Sequence, residues 1–314
     1  MSHPVACDCP TFSILLPFRN PGADFKIAIQ SVFAQTFTDW ELILMDDGSS
    51  DGSLEFARSL SDPRVRVISD GRHLHLNLRL NQMIDLARGV YIARTDADDI
   101  MHPERLEKQY RVLVQSDSQT VVGTGAFAID QDSNPIGVRL PRNTPKRGFA
   151  ATNSVMHATV AAPAEWFRQN RYSEDPVYFR SQDAELWFRT ADFTKFVNIE
   201  EPLYFVREVG NFSVEKYLWS AFGVLNIAAR FGKTDPLKAA AIVSSRLAKL
   251  WMMWIAHYAG MADVLLKRRC AAASPSERNE AERVIQLIST TNLPSAGGGA
   301  QAETPSSQMA LALV

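Results

Sequence analysis

Short apolar runs alternate with segments of helical periodicity between residues 12 and 114. The apolar runs are FSILLP, WELILM, RVRVIS and GVYIART, and between them apolar residues recur three or four positions apart. Strands that are apolar almost throughout, and that are separated by helices, need cover on both faces, which is typical of a parallel sheet. The pattern therefore predicts a Rossmann-like α/β half.

The regular alternation of strands and helices ends after about residue 120. Beyond it, apolar runs such as TVVGTGAFAI, FTKFVNI and PLYFVRE alternate with turns and with one predicted helix at SQDAELWFRTA. We therefore predict an α/β fold with a mixed sheet flanked by helices and a C-terminal helical appendage. The predicted divisions are an N-terminal segment at 1–11, one α/β domain at 12–215, helices at 216–269 and a largely disordered tail at 270–314. One short helix is expected in the tail, because Ser274-Pro275-Ser276-Glu277 has the form of a capping box.

The composition and charge indicate the broad class of the protein. With 46% hydrophobic and 22% charged residues, it is that of a globular chain. The formal net charge of −2 gives no reason to expect a nucleic-acid partner. No basic segment followed by an apolar core opens the sequence, so we expect a cytoplasmic protein.

The apolar stretch LWMMWIAHYAGMA at 250–262 is too short to span a bilayer. Its Trp and Tyr residues stand between basic residues at 246–249 and 267–269, which suits a helix lying on a membrane surface. Packing on the domain or on a partner chain explains the same residues equally well. Peripheral contact with the inner face of the membrane through 237–269 is therefore one of two open interpretations.

Polar residues follow three of the predicted parallel strands, at the edge where such sheets bind ligands. The strand ends are Pro17-Phe18-Arg19-Asn20, Asp46-Asp47-Gly48-Ser49 and Asp96-Ala97-Asp98-Asp99. Two like charges about 4 Å apart repel by roughly 4 kcal/mol at an effective dielectric near ~20, so such a cluster needs a positive charge. A Mg²⁺ or Mn²⁺ ion held by Asp96 and Asp98, with phosphate oxygens completing its shell, would supply that charge.

Each motif taken singly has a plainer explanation. DDGSSDGS and DADD both suit a turn followed by a helix cap. An EF-hand at 96–107 is excluded because Met101 stands where its turn glycine belongs. GTGAFA at 123–128 fits the loose dinucleotide fingerprint, but a turn follows it where a helix is required.

Taken together and in order, five motifs resemble family 2 glycosyltransferases of the GT-A fold over residues 12–213. The motifs are SILLPFRN, AIQSVFAQTFTDWELILMDDGSSDGS, NQMIDLARGVYIARTDADDIMHPERLEKQ, HATV and DAELWFR. The resemblance implies transfer of a sugar, with inversion, from a nucleotide-diphosphate donor to a hydroxyl of a carbohydrate or glycolipid acceptor. It also implies a UDP-sugar as the expected donor, a Mn²⁺ or Mg²⁺ cofactor, and a place in the assembly of a bacterial-type surface polysaccharide or glycolipid.

The resemblance also implies roles for individual residues. Asp96 and Asp98 match the metal-binding DxD motif, and either Asp46 or Asp47 matches the position that reads the nucleotide base. Asp183 matches the general base, and it stands near the start of a predicted helix whose dipole favours the ionised carboxylate. Further donor contacts are expected from Pro17, Asn20 and Arg79, and acceptor contacts from His157 and Trp187.

Several of these assignments keep an alternative. His157 among apolar neighbours also suits a hydrogen-bonded core residue, and Trp187 also suits a core aromatic. The chain departs from the family at Gln182 before the base, in the loop His73-Leu74-His75, and at Val209 in place of a late histidine. Two other classes of function therefore stay open, namely another metal-dependent nucleotide-using transferase, which would not need Asp183, and a non-catalytic carbohydrate-binding or scaffold protein.

Overall fold

The apolar runs form strands of one sheet in the computed structural model, which describes residues 9–141, 154–208, 214–231, 236–259 and 270–295. The strands are β1 (Phe12–Phe18), β2 (Trp40–Asp46), β3 (Val65–Ile68), β4 (Tyr91–Arg94), β5 (Ile100–Met101), β6 (Thr120–Ile129), β7 (Pro135–Arg139), β8 (Ala161–Pro163) and β9 (Lys195–Arg207). The helices are α1 (Asp24–Phe33), α2 (Ser53–Arg58), α3 (Leu76–Leu86), α4 (Arg105–Leu113), α5 (Ala164–Gln169), α6 (Gln182–Thr190), α7 (Val214–Phe231), α8 (Pro236–Tyr258) and α9 (Pro275–Ser289). Short 3-10 helices stand at His157–Thr159 and Pro176–Tyr178.

The sheet is mixed, as predicted, with the order β3-β2-β1-β4-β8-β6-β9-β5 and with β7 paired to β6. The first four strands in this order are parallel, whereas β8 runs antiparallel between β4 and β6. Because β1 pairs with both β2 and β4, the carboxyl ends of these three strands lie side by side. The loops that follow them therefore meet at one edge of the sheet.

Alternate residues of β1 point to opposite faces of the sheet. Ile14 and Leu16 join the core that contains Phe25 and Ile29 of α1, whereas Leu15 joins the core that contains Leu80 of α3. Every residue of β1 and of β2 is buried, as expected for strands that are covered on both faces.

One long strand replaces two that the sequence predicts, because FTKFVNI and PLYFVRE are joined in β9. This strand pairs in parallel with β6, and the register shifts near Gly125, which stands opposite Pro202. A Cβ added at Gly125 would lie 2.6 Å from the carbonyl oxygen of Glu200, so only glycine allows this approach. The irregular pairing accommodates Pro202, which has no N–H to contribute to a regular ladder.

The region 270–295 is ordered, which differs from the largely disordered tail predicted from its composition. The capping box is confirmed, since Ser274 Oγ accepts a hydrogen bond from the Glu277 N–H and the Glu277 carboxylate accepts one from the Ser274 N–H. Residues of α9 are buried in a cluster with β6 and β9. The Gln30 amide of α1 donates to two carbonyl oxygens at the end of α9, at 2.9 and 2.8 Å. Residues 296–314 lie outside the described residues, as do 1–8 of the predicted N-terminal segment.

The predicted helical region contains α7 and α8. Part of α7 is buried against the segment that leads into α6, in a cluster of Tyr178, Ala184, Val224 and Ile227. The outer face of α8 carries a row of exposed apolar residues, namely Leu237, Leu247, Trp251, Met252, Trp254, Ile255 and Tyr258. Among the described helices, none is both long enough and apolar enough to cross a membrane.

Candidate active site

The loops after β1 and β2 are joined by hydrogen bonds at the edge of the sheet. Asn20 has a left-handed backbone with φ of 48°, a conformation that Asn tolerates. Its Oδ1 accepts from the Ser50 N–H at 2.7 Å, and its own N–H donates to Ser49 Oγ at 3.1 Å. Pro17 is buried within β1, opposite Met45. These contacts place Asn20 beside the loop after β2. Its role and that of Pro17 as donor contacts stay predictions.

Both carboxylates at the end of β2 are bonded inside the protein. Asp46 accepts hydrogen bonds of 2.9 and 2.8 Å from the loops after β2 and β3. Asp47 accepts four hydrogen bonds of 2.7 to 3.2 Å. The donors are the His73 ring, the backbone N–H groups of Leu74 and His75, and the Arg79 side chain. Burial alone would raise the pKa of Asp47, but these donors hold it below its ordinary value. A base-reading role for Asp47 would therefore share oxygens that already order the loop after β3.

Arg79, which the sequence predicts as a donor contact, is only 1% exposed. Its guanidinium donates to Asp47 at 2.8 Å, to Asp70 at 2.7 Å and to Gln82 at 2.9 Å. A contact with the diphosphate would compete with these bonds, and breaking a buried ion pair is costly. The geometry therefore favours a role for Arg79 in holding the loop after β3 in place.

The loop His73-Leu74-His75, where the chain departs from the family, carries a column of aromatic rings. The His75 ring centroid lies 4.4 Å from that of His73 and 4.4 Å from that of Phe179. On the other side, Arg19 Nη1 lies 3.2 Å from His73 Nε2. The column thus links the predicted donor loops to the segment that precedes α6.

Two buried arginines contact the carboxylate cluster after β4. Arg94, the last residue of β4, forms an ion pair with Asp96. Arg207, the last residue of β9, donates from Nε to the Asp98 carbonyl oxygen at 3.1 Å and from its N–H to Asp99 at 2.9 Å. Arg94 therefore balances part of the negative charge of the cluster, whereas the Arg207 guanidinium pairs with Asp24 at 2.9 Å. That a bound ion balances the remaining charge stays a prediction.

The Asp98 carboxylate differs from those of Asp96 and Asp99 in its hydrogen bonding. In the part of the chain that the structure describes, no hydrogen-bond donor reaches its side-chain oxygens. No three metal-binding side chains are grouped around a cation position in that same part. Asp96 and Asp98 therefore fit a hard divalent cation whose remaining ligands come from phosphate and water. Val209, the position of the missing histidine, lies outside the described residues.

Asp183 lies in the first turn of α6 and is partly exposed. Burial raises its pKa above the ordinary value, although the Ala184 N–H and Arg94 both act to lower it. The helix dipole alone predicts the opposite direction, so the loss of hydration outweighs it. Burial also raises the pKa of Asp96, Arg94 opposes this, and the charges of Asp98 and Asp183 raise it further. The predicted base and the predicted DxD motif thus lie within electrostatic range of each other.

The two predicted acceptor residues are buried. Trp187 is 0% exposed, with ring centroids 6.1 Å from Trp166 and 5.6 Å from Phe196. It offers no ring face to a sugar, so the structure supports the core alternative and not the stacking platform. His157 Nε2 lies 2.8 Å from the Tyr172 hydroxyl, and burial above all holds its pKa well below the ordinary value. The neutral, hydrogen-bonded ring fits the core alternative for His157 as well.

Three residues at the site were not singled out by the sequence motifs, namely Arg94, Tyr204 and Arg207. The Tyr204 hydroxyl accepts from the Asp96 N–H at 3.1 Å and lies 3.1 Å from Thr95 Oγ1. One signal was present, since the runs YIAR and YFVR each end an apolar strand with arginine. A buried arginine without a partner is costly, so an arginine at such a place predicts a carboxylate nearby.

Several known proteins are similar to this chain in sequence. The sequence matches the family model described as Glycosyl transferase family 2 over residues 13–171, slightly more than half of the chain. EpsE of Bacillus subtilis, named as a glycosyltransferase, is 33% identical over 205 residues, which cover 63% of this chain and 73% of EpsE. The O-antigen biosynthesis glycosyltransferase WbnJ of Escherichia coli is 31% identical over 189 residues, which cover 56% of this chain and 70% of WbnJ.

Solved structures share the fold at low sequence identity. The mannosyltransferase PcManGT from Pyrobaculum calidifontis, in complex with GDP-Man and Mn²⁺, has a TM-score of 0.55 at 13% identity, covering 90% of this chain and 86% of its own. TarS from S. aureus, in complex with UDP-GlcNAc, has a TM-score of 0.52 at 14% identity, covering 76% of this chain and 71% of its own. The chain has the GT-A fold and belongs to glycosyl transferase family 2.

Proposed function

We propose that the protein is an inverting glycosyltransferase that moves a sugar from a nucleotide-diphosphate donor to an acceptor hydroxyl. A UDP-sugar is the expected donor, and a carbohydrate or glycolipid is the expected acceptor. The observation that carries the proposal is that Asp183 lies close enough to Asp96 to raise its pKa, and that Arg94 acts to lower the pKa of both carboxyls. A base close to a diphosphate site is what a single displacement needs.

In the proposed reaction Asp183 accepts the proton of the acceptor hydroxyl while that oxygen attacks the anomeric carbon. The bond from this carbon to the diphosphate oxygen breaks on the opposite face, and its electron pair leaves with the nucleoside diphosphate, so the configuration inverts. The raised pKa of Asp183 suits this step, because a base with a pKa nearer the working pH holds the transferred proton better.

The chain's own groups also prepare the donor side. Asp96 and Asp98 would hold a Mg²⁺ or Mn²⁺ ion, which when bound neutralises the charge that develops on the leaving diphosphate. Arg94 keeps Asp96 oriented through their ion pair, and Arg207 fixes the backbone of Asp98. These contacts limit the reorganisation that the site needs when a donor binds.

The relatives support the class of substrate and the pathway. The solved complexes of PcManGT and TarS contain GDP-Man with Mn²⁺ and UDP-GlcNAc, which supports a nucleotide-sugar donor and a divalent cation here. WbnJ carries the name of an O-antigen biosynthesis enzyme, which supports a role in surface polysaccharide or glycolipid assembly.

A thermal-shift screen of UDP-, GDP- and dTDP-sugars, each with and without Mn²⁺, tests the proposal. We expect one nucleotide class to raise the melting temperature, and to do so more strongly with Mn²⁺, because a ligand at 100 times its Kd stabilises a protein by about 2.7 kcal/mol. The melting temperature is also measured with Mn²⁺ and the matching nucleotide that carries no sugar. Comparing this shift with that of the nucleotide sugar separates recognition of the nucleotide from recognition of the sugar. If no nucleotide sugar changes the melting temperature, the scaffold alternative is favoured.

We further propose that α8 lies on the inner face of the membrane. Trp251 is 70% exposed and Trp254 51%, whereas Met253 and Ala256 are buried, so one face of α8 packs inward and the aromatic face is open. Residues 236–269 contain six basic residues, Lys238, Arg246, Lys249, Lys267, Arg268 and Arg269, and one acidic residue, Asp263. Aromatic and basic residues together suit the boundary of an anionic bilayer.

Vesicle sedimentation tests the membrane contact. We expect the protein to sediment with vesicles that contain phosphatidylglycerol, and to do so less with pure phosphatidylcholine. The double substitution Trp251→Ser and Trp254→Ser is expected to lower vesicle affinity at least tenfold, since two interfacial aromatic side chains are lost. Phe193→Ser is the control, because Phe193 is 53% exposed but lies outside α8. A dimer that becomes a monomer on the double substitution, without vesicle binding, would assign this face to a second copy of the chain.

A further inference from the structure

Gly223 lies in the interior of α7, where glycine is an unfavourable choice. In a helix interior glycine costs about 1 kcal/mol relative to alanine, because it loses more backbone freedom on folding. A Cβ added at Gly223 would overlap Ser181 Oγ and would lie 2.9 Å from the Val177 carbonyl oxygen and 3.0 Å from Ser181 Cβ. The glycine is therefore explained by the close approach of α7 to Ser181.

Ser181 is the residue at which the helix of Asp183 begins. It is the N-cap of α6, its N–H donates to the Tyr178 carbonyl oxygen at 2.9 Å, and its own carbonyl oxygen accepts the Glu185 N–H at 3.0 Å. Among the described residues, Ser181 Oγ is buried with no hydrogen-bond partner. Backbone hydrogen bonds and packing against α7, and not a cap bond from its side chain, therefore hold Ser181.

Further along α7, other residues hold the same segment. Ile227 is fully buried in a cluster with Tyr178. The Arg230 guanidinium carbon lies 5.0 Å from the Tyr178 ring centroid, and its Nη1 lies 3.7 Å from a carboxylate oxygen of Glu185. The Phe179 ring also contacts His75 in the loop after β3. The segment before Asp183 is therefore held between that loop and α7.

We infer that α7 is a positioning element of the catalytic site, and that the contact between Gly223 and Ser181 sets where the Asp183 carboxylate lies. The inference rests on the proposed role of Asp183 as the base. It extends the catalytic unit past residue 215, the predicted end of the α/β domain, into the helical region. Gly223 itself touches no substrate, so it acts on the reaction only through the start of α6.

The test is the substitution Gly223→Ala, with turnover measured as nucleoside diphosphate released from the donor found in the thermal-shift screen. We expect kcat to fall at least tenfold while the donor Kd, measured by calorimetry, changes less than twofold, because the donor loops are separate from α7. A displacement of about 1 Å at a reacting group is enough for such a loss. Phe222→Ala is the control, since this neighbouring residue of α7 is 49% exposed and the loss of its side chain is expected to leave both values unchanged.

The double variant Gly223→Ala with Ser181→Gly shows whether the contact is the cause. Removing Oγ and Cβ from residue 181 relieves the severe overlap and leaves only the 2.9 Å approach of the new methyl group to the Val177 carbonyl oxygen. The double variant is therefore expected to regain a measurable part of the lost kcat, and to fold even if Gly223→Ala alone does not. Unchanged kcat in folded Gly223→Ala, or a folded double variant with no recovery, would overturn the inference. Asp183→Asn separates the two proposals, because full activity in that variant removes the base assignment whatever Gly223→Ala does.

Discussion

Replacing Asp183 with Asn is expected to lower turnover about 10³-fold while donor affinity is retained, because a positioned general base typically contributes 10²- to 10⁴-fold. The amide fits the same space but cannot accept the acceptor's proton. Turnover is measured as release of nucleoside diphosphate in the presence of Mn²⁺, and donor affinity by calorimetry. Asp192→Asn is the matched control, since this exposed carboxylate lies beyond the other end of α6 and is expected to change neither value.

The pH dependence of the wild type follows from the raised pKa of Asp183. The carboxylate acts as a base only when ionised, so kcat is expected to fall as the pH falls through this raised pKa. The acid limb should therefore lie above the value of about 3.9 of an ordinary Asp, and it should disappear in Asp183→Asn. If Asp183→Asn turned over donor within about threefold of wild type and kept the acid limb, the base would be elsewhere. A nucleotide-using transferase that needs only the metal site would then be favoured.

Asp183→Asn is also expected to keep or raise the melting temperature at pH 7. A carboxyl with a pKa raised by folding stabilises the protein below its unfolded pKa, and this stabilisation is lost as the pH rises through the folded pKa. At neutral pH the ionised Asp183 is therefore a net cost to stability, as is common for groups kept for function. A lower melting temperature in Asp183→Asn, with lost activity, would instead assign a structural role to Asp183.

Local sequence patterns were enough to predict which site residues lie close together. Apolar runs of strand length alternating with helices predict a parallel sheet, and parallel strands bring their carboxyl ends to one edge. This was enough to place Asp46 and Asp47 beside Asn20 and to place Asp98 after the neighbouring strand β4. The capping box at Ser274 was likewise predictable, because all of its atoms lie within one turn of chain.

Contacts between distant segments were not predictable from such patterns. Arg207 reaches Asp98 only because β9 ends beside the loop after β4, and no local periodicity encodes that approach. Gly223 reads in the sequence as a weak point in a helix, and its reason appears only when Ser181 is seen against it. The spacing of Trp187 after Leu186 favours a core residue but leaves a sugar platform open, and the full burial of Trp187 against neighbouring aromatic rings decides for the core.

Two adjacent carboxylates are expected to respond in opposite ways to removal, Asp98 through ligand binding and Asp99 through stability. The Asp98 carboxylate has no donor among the described residues and repels Asp96, so Asp98→Ala should leave the melting temperature of the ligand-free protein unchanged or slightly raised. Asp99 is buried and accepts the Arg207 N–H at 2.9 Å, so Asp99→Ala leaves that N–H unsatisfied. The cost is about 1 to 3 kcal/mol, or a loss of several degrees.

Ligand binding is expected to be impaired in Asp98→Ala and retained in Asp99→Ala, which is the reverse of the effects on stability. Asp98→Ala is expected to abolish the Mn²⁺-dependent part of the donor's thermal shift and to lower turnover at least 10³-fold, because the leaving diphosphate loses its counter-charge. Folded Asp99→Ala, assayed well below its lower melting temperature, is expected to keep the Mn²⁺-dependent shift. Turnover by Asp98→Ala within about threefold of wild type corresponds to a barrier change under about 1 kcal/mol, and would exclude Asp98 as a metal ligand. Because the two residues are neighbours in one loop, a general disturbance of that loop would affect both variants alike, and only distinct roles give opposite responses.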